Sequence, residues 1–324
     1  MRLVNVLVVS KLDAGQRSAM SALLARAEEA DGHPALAEPQ QAAAARLDLG
    51  AHQAKLVLAY EGQTLVGAAF ITPAIDGAMA LHTVVEPDHR RADQPETVRT
   101  TLIREALLHS HGRLRLWFMQ ADDADDAEAA RLGFRPERDL LQMRAPLPLA
   151  PEKLAGARPV HTRPFRPGLD DEAWLSINNL AFAGHPEQGG WTHEDLKARL
   201  EADWFDPEGF LVAENEDGDG LIGSCWTKVH RDHEPVLGEI YVISVNPSRH
   251  GEGWGRALTV AGLQWMAGQG VHVGMLYTTS SNTAAVALYA SLGFTIDHVD
   301  RSYLADMGSA GSTSGSTSST SSIS

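Results

Sequence analysis

The feature that most limits the fold is a repeat. Leu65-Val66-Gly67-Ala68-Ala69-Phe70 in the first half is echoed by Leu221-Ile222-Gly223-Ser224-Cys225-Trp226 in the second. Val84-Val85-Glu86-Pro87 is echoed by Ser244-Val245-Asn246-Pro247, and Leu132-Gly133-Phe134 by Leu292-Gly293-Phe294. The step from Pro87 to Gly133 is 46 residues, and so is the step from Pro247 to Gly293. Equal spacing of that length marks a tandem duplication of one α/β unit. A chain of 324 residues has room for two domains, each with its own core. With 44% apolar and 21% charged residues, the usage is that of a globular protein. That excludes a collagen, a coiled-coil rod and a wholly disordered chain.

Each copy has the same coarse order. An amphipathic helix comes early, over 13–30 and again over 170–183. A hairpin follows, turning at Glu61-Gly62-Gln63 and at 215–220. A third strand ends at Pro87 or Pro247 and leads to a helix (97–109; 254–267) and a strand (114–119; 273–277). A short helix stops at the glycine of Leu-Gly-Phe, and a last strand is expected to close its own unit.

The predicted boundaries are 1–148 for the first domain, 149–158 for a linker and 159–305 for the second domain. The region from Pro146 to Pro164 is proline-rich, which suits a linker. Residues 306–324 read as a disordered tail, because Gly308 to Ser324 holds nine Ser, three Thr and three Gly.

Lys plus Arg is 27 and Asp plus Glu is 42, a balance of −15, which argues against nucleic acid as a partner. The apolar run Leu3 to Val9 is too short for a membrane span and reads as a first strand. The single cysteine, Cys225, excludes an internal disulfide and suits a reducing cytoplasm. Cys225 reads as a core thiol. His185, His230 and His233 do not form a metal motif, so no metal is expected.

The strongest local signal for chemistry lies in the second half. Val245-Asn246-Pro247-Ser248-Arg249-His250-Gly251-Glu252-Gly253-Trp254-Gly255-Arg256 reads as a strand feeding a glycine-rich turn that opens a helix. Such a turn lets free N–H groups cradle phosphate oxygens. The same residues also fit a flexible turn with a helix start. The motif from Asn282 through Tyr289 to Gly293-Phe294 follows at matched spacing.

Together these two motifs resemble the GCN5-related N-acetyltransferase superfamily. The resemblance implies two tandem domains of that fold, each a mixed, mostly antiparallel sheet flanked by helices. It implies acetyl-CoA as acetyl donor, with the pyrophosphate on His250, Gly251, Glu252, Gly253, Trp254, Gly255 and Arg256. It places the pantetheine arm against Asn282, Thr283, Ala284, Ala285, Val286 and Ala287. Tyr289 matches the acid that protonates the departing thiolate, although it also fits a half-buried helix residue.

A closer resemblance rests on further runs. These are the segment from Asn178 through His185-Pro186-Glu187-Gln188-Gly189-Gly190 to Trp191, Trp204-Phe205-Asp206-Pro207, Trp226-Thr227-Lys228-Val229-His230 and Gly238-Glu239-Ile240-Tyr241-Val242. They are similar to the mycothiol synthase family, densely over 170–300 and weakly over 1–150. That family acetylates the cysteinyl amine of Cys-GlcN-Ins, desacetylmycothiol. The resemblance carries substrate contacts to Glu187, Lys228, Glu239 and Tyr277, and to Glu38 in the first half. It sets the backbone of Ile243, Ser244 and Val245 against acetyl-CoA. A turn carboxylate for Glu187, a surface lysine for Lys228 and a solvent-facing Glu239 are the structural alternatives.

The residue types suit amine acetylation. A cysteine α-amine titrates near pH 7.7–8.0 and must shed a proton before attacking a thioester. Glu239 is a reasonable general base, directly or through water. Strand N–H groups near Ile243 suit a tetrahedral oxyanion.

Two departures bear on the expectation. Aligned on its proline, the first half has Asp93 and Pro95 where the second has Gly253 and Gly255. The first lobe is therefore expected neither to catalyse nor to bind CoA tightly. Completing the substrate cleft and supporting the second lobe both stay open as its role. In the second half, His250 replaces a common Gln or Arg, Glu252 a common Arg, and 278–281 a commonly acidic segment. The reading is a monomeric cytoplasmic acetyltransferase with Glu239 as base and Tyr289 as acid. Acetylation of another small amine, such as an aminoglycoside, and a non-catalytic acetyl-CoA-binding module are the alternatives.

Overall fold

The computed structural model describes residues 4–31, 35–36, 54–74, 76–90, 97–183, 189–215, 220–231 and 233–308. The first half runs β1 (Asn5–Val9), α1 (Ala14–Asp31), β2 (Lys55–Glu61), β3 (Thr64–Pro73), β4 (Met79–Val85), α2 (Val98–Leu108), β5 (Arg113–Phe118), α3 (Asp123–Arg131) and β6 (Arg135–Pro146). The second half runs β7 (Arg163–Pro164), α4 (Asp171–Ala181), α5 (His193–Leu200), β8 (Phe210–Glu214), β9 (Leu221–His230), β10 (Leu237–Val245), α6 (Trp254–Gly268), β11 (Val273–Thr279), α7 (Thr283–Ser291) and β12 (Thr295–Asp306). Among the described residues the order in both halves is the expected one, and α5 is a helix that the sequence reading did not anticipate. No described helix is long and apolar enough to cross a membrane.

The twelve strands of the described residues form one sheet, in the order β1-β2-β3-β4-β5-β12-β6-β11-β10-β9-β8-β7. Here the expectation about the closing strands is corrected. β6, the last strand of the first half, pairs antiparallel with β11 of the second. β12, the last strand of the second half, pairs with β5 of the first. The halves have exchanged their closing strands, which pair with each other at the centre. The central register is nearly symmetric, with Thr295 opposite Arg144 and Leu304 opposite Arg135. Arg301 fixes the exchange by donating to Asp139 on β6 and Asp126 on α3, where the Tyr303 hydroxyl also donates.

Helices cover both faces of each half-sheet. α6 lies against β9 and β10 so closely that a Cβ on Gly262 would collide with Cys225 Sγ. On the opposite face of the second half, aromatic rings form the core. Phe165, Phe210 and Trp226 stack with ring centroids 4.2 Å apart at each step. Trp174 packs edge-on to Phe210 and Trp226. Such rings bury much apolar area with few rotatable bonds, which suits a rigid wall.

Candidate active site

The site begins where two parallel strands part. β10 pairs with β11 only from Leu237 opposite Val273 to Ile240 opposite Leu276. On its other edge β10 carries a bulge. Thr227 faces Ile240, but Trp226 faces Val242, so Tyr241 is the extra residue. A bulge sharpens the local bend, and it falls where β10 leaves β11. From Ile243 to Val245 the strand stays paired with β9 on one edge. Its other edge opens into the gap, where backbone groups need partners. An extended ligand fits there as an added strand.

At the end of that gap lies the glycine loop. Gly251 and Gly253 have φ of +81° and +84°, conformations that disfavour side chains. Gly253 is the N-cap of α6 and offers no side chain to the first helical N–H groups. They remain free to meet an anion. A Cβ on Gly255 would meet only Leu288 Cδ2, at an ordinary 3.7 Å. Packing within the protein therefore does not require that glycine.

The acidic departure in the loop is neutralised locally. The Glu252 carboxylate accepts from Trp254 Nε1 at 3.0 Å and from Arg249 Nε at 3.1 Å, and these bonds hold it below the ordinary carboxylate range. Arg158, from the linker, stacks 3.6 Å over the Trp254 ring and donates to the Glu252 carbonyl at 2.9 Å. Arg256 donates to the Lys153 carbonyl at 2.6 Å and to Ser291 Oγ at 2.7 Å. The side chain of Arg256 thus ties the linker to the loop, and its backbone N–H is what it offers a phosphate. His250 Nε2 lies 3.2 Å from the Val245 carbonyl.

Glu239 sits just before the parting of the strands. It is buried, at 9% exposure, so the solvent-facing alternative does not hold. Its Oε2 lies 2.8 Å from His230 Nε2. An ionised carboxylate only accepts, so the imidazole donates here and Nε2 carries the proton. Lys228 is opposite Glu239 in the register. Its Nζ stands 4.4 Å over the Trp204 ring and 5.6 Å from that of Tyr241. It is half-buried on an aromatic floor, not a free surface lysine.

Tyr277 follows the paired part of β11. The residue keeps 37% exposure, open to the cleft. Its oxygen accepts from Gln142 Nε2 at 2.6 Å. The phenol is held well above the ordinary tyrosine range. Burial of the hydroxyl raises it most, Gln142 pulls the other way, and the charges of Glu239 and Asp300 push it further up.

Across the gap, Asn282 caps α7 by accepting from the Ala285 N–H at 3.2 Å. Thr283, Ala284 and Ala287 are exposed, and Ala285 and Val286 half-buried, on a helix without a charged side chain. Tyr289 is buried, and burial first, then nearby Cys225, raises its phenol above the ordinary range. The half-buried alternative for Tyr289 is thus replaced by a fuller burial. Cys225 is itself buried, and burial pushes its thiol up to about 12.

The structure thus brings Glu239, Lys228 and Tyr277 to one cleft and lines the adjoining gap with Ile243 to Val245, the glycine loop and α7. Glu38 and Glu187 lie outside the described residues, as do His185, Asp93 and Pro95. Among the described residues, no three His, Cys, Asp or Glu side chains are grouped to hold a metal. Two participants escaped the sequence reading. His230 was weighed only as a metal ligand, although its place in Trp-Thr-Lys-Val-His puts it on the face of Lys228. Gln142 comes from the first half and carried no signal at all.

Comparison with known proteins agrees with this geometry. Residues 174–294 match the model of the Acetyltransferase (GNAT) family. The chain is 40% identical over 299 residues to a mycothiol acetyltransferase of Pseudarthrobacter chlorophenolicus, covering 87% of this chain and 90% of that one. It is 43% identical to a mycothiol acetyltransferase of Thermobispora bispora, with 89% and 96% covered. That of Nocardia farcinica is 39% identical, with 94% and 98% covered. Among solved structures, a GCN5-related N-acetyltransferase from Sphaerobacter thermophilus aligns with a TM-score of 0.65 at 20% identity, over 94% of this chain and 96% of that one. A tandem GNAT protein from the clavulanic acid biosynthesis pathway also gives 0.65, at 16% identity, over 94% and 99%. At those identities the solved structures bear on the fold alone.

Proposed function

The chain belongs to the mycothiol acetyltransferase family, and from that premise we propose that its second lobe moves acetyl from acetyl-CoA to the cysteinyl amine of Cys-GlcN-Ins. It is an N-acetyltransferase of the GNAT fold. The observation that carries the substrate-side reading is the buried Glu239, held by His230 and set where β10 leaves β11. A base there reaches an amine presented to a thioester lying in the gap.

The gap suits acetyl-CoA. The open edge of Ile243 to Val245 offers strand-like hydrogen bonds to the pantetheine arm. The free N–H groups from Gly251 to Arg256 suit the pyrophosphate, with Arg158 and Arg249 supplying positive charge nearby. Asn282 through Ala287 present a neutral wall to the arm.

The reaction needs three proton and charge events. Glu239 takes a proton from the ammonium, directly or through one water, and His230 fixes the carboxylate oxygen that is not used. The amine then attacks the thioester carbonyl, and N–H groups at the open edge of β10 stabilise the oxyanion. As the C–S bond breaks, the thiolate takes the phenol proton of Tyr289, and the acylated nitrogen gives up its second proton, which returns through water to the phenolate. Burial that raises the phenol raises the departing thiolate as well, as it does for Cys225. Lys228, Tyr277, Glu187 and Glu38 complete the substrate contacts in this proposal.

The test is CoA release by purified protein with Cys-GlcN-Ins, beside cysteine, glucosamine and an aminoglycoside. Saturable turnover with Cys-GlcN-Ins alone is expected. Turnover of another amine in its place removes the substrate assignment and leaves the fold standing. Acetyl-CoA binding with no turnover of any amine replaces the enzyme reading with a sensor.

A further inference from the structure

We propose that Gln142, on the closing strand of the first half, is a positioning residue for Tyr277 in the active site of the second, and that it sets the phenol as a donor to the amine substrate. The inference rests on the reading of Tyr277 as a substrate contact. It assigns the first half a direct part in recognition.

Three observations carry it. The exchanged strand β6 sets Gln142 directly opposite Tyr277 in the register. Gln142 is 5% exposed, and its Nε2 donates to the Tyr277 oxygen at 2.6 Å. Its Oε1 accepts from Arg144 Nε at 2.7 Å. Arg144 has only donors, so it fixes the orientation of the amide. With Oε1 turned to the guanidinium, the NH₂ group must face the tyrosine. A phenol has one proton, and its oxygen is already engaged as an acceptor. The Tyr277 O–H therefore does not point at Gln142 and is left to donate to an acceptor in the cleft.

The ligand chemistry follows. A phenol fixed as donor selects an acceptor oxygen, such as an amide carbonyl or a sugar hydroxyl. Cys-GlcN-Ins carries both beside its reacting amine. The relay runs from Arg144 through Gln142 to Tyr277 and crosses the seam between halves. The catalytic lobe is incomplete without strand β6.

Gln142→Glu tests the direction of the bond and not just its presence. The side chain keeps its size and still meets Arg144, but a carboxylate accepts from the phenol and draws its proton inward. Expected is a KM for the amine substrate raised about tenfold, the scale of one lost hydrogen bond, with kcat and the KM for acetyl-CoA within about twofold. Gln142→Met, which keeps volume and drops the bond, is expected to raise the same KM. Adding either change to Tyr277→Phe costs nothing more. A Gln142→Glu enzyme with the wild-type KM overturns the proposal, as does a loss spread equally over both substrates or a fully additive double variant.

A second readout needs no turnover. The chain has five tyrosines, so a ¹³Cζ-tyrosine spectrum is simple, and Tyr277→Phe assigns the signal. That signal is expected to move in Gln142→Glu, and an unmoved signal overturns the proposal. If the wild-type protein fails to acetylate Cys-GlcN-Ins, the functional reading fails separately, and the tyrosine signal still decides the geometry.

Discussion

The two lobes share a fold and differ at almost every position that chemistry uses. In the second lobe β10 bulges at Tyr241 and parts from β11 after Ile240. In the first, β4 pairs with β3 without a bulge, and its four pairs with β5 end one aligned position further along, at His82 opposite Trp117. Arg115 and Met275 occupy matching positions, 275 − 115 = 160, the same offset as Pro247 from Pro87. Their parallel partners are Ala80 and Glu239, so the first lobe has no base at that point. Counting back by the same offset from Tyr289 leads to Ala129, so it has no acid either.

The corresponding helices diverge as sharply. α7 has no charged side chain. α3 carries Asp123, Asp125, Asp126 and Glu128, and three of these are engaged by Arg99 or Arg301. The first lobe's strand gap is thus closed further and its helix is acidic, while Arg115 is held by Asp76 and Glu137. A fold survives duplication through its turns and core periodicity. In the proposed reading, activity rests on a bulge, a base and an acid, and a lobe without these is a competent scaffold.

The sharpest way to break the comparison is at the base. Glu239→Gln is expected to lower kcat with Cys-GlcN-Ins by about 10²–10³-fold, within the usual range for a general base. A loss below about threefold would put the chemistry elsewhere. Tyr289→Phe is expected to cost about 10–10² in kcat with the KM for acetyl-CoA unchanged. A change confined to that KM would make Tyr289 a wall and not an acid.

Smaller effects sharpen the contrast at the loop. Gly255→Ala meets no internal clash and removes a helical glycine, so it is expected to stabilise the fold by about 0.5–1 kcal/mol. With the pyrophosphate on this loop as proposed, the added methyl crowds it, and the KM for acetyl-CoA is expected to rise about tenfold, roughly 1.4 kcal/mol. A melting temperature that rises without any change in that KM would move the pyrophosphate off this glycine.

The smallest effect belongs to the first lobe. The Arg115 hydrogen bond holds the Asp76 carboxyl down to about 2. A depressed acid adds stability above its unfolded pKa near 3.9 and loses it as pH falls through the folded value. Asp76→Asn is therefore expected to cost about 1–2 kcal/mol near pH 6, less below pH 4 and only a remnant near pH 2. Urea melts across that window check it. A cost undiminished at pH 2 would show that packing, and not the ion pair, carries it.

Much of this was legible in the sequence because it is local. The repeat, the hairpin glycines and the glycine loop each rest on residues close in the chain. The exchange of β6 and β12 was not legible. In a duplicated unit the two closing strands carry similar patterns, and either fits the slot beside β5 or β11. The contacts of Glu239 and Tyr277 were hidden for a related reason. His230 reaches Glu239 across a hairpin, and Gln142 reaches Tyr277 across 135 residues. Both contacts depend on register, which no single segment encodes.

In the proposed reading, one lobe of the pair works on acetyl-CoA. Equilibrium dialysis with radiolabelled acetyl-CoA tests it directly, on the wild-type chain and on Gly255→Trp. One molecule bound per chain is expected, lost in the variant while the fold persists. Two molecules bound, or one that survives Gly255→Trp, would contradict it.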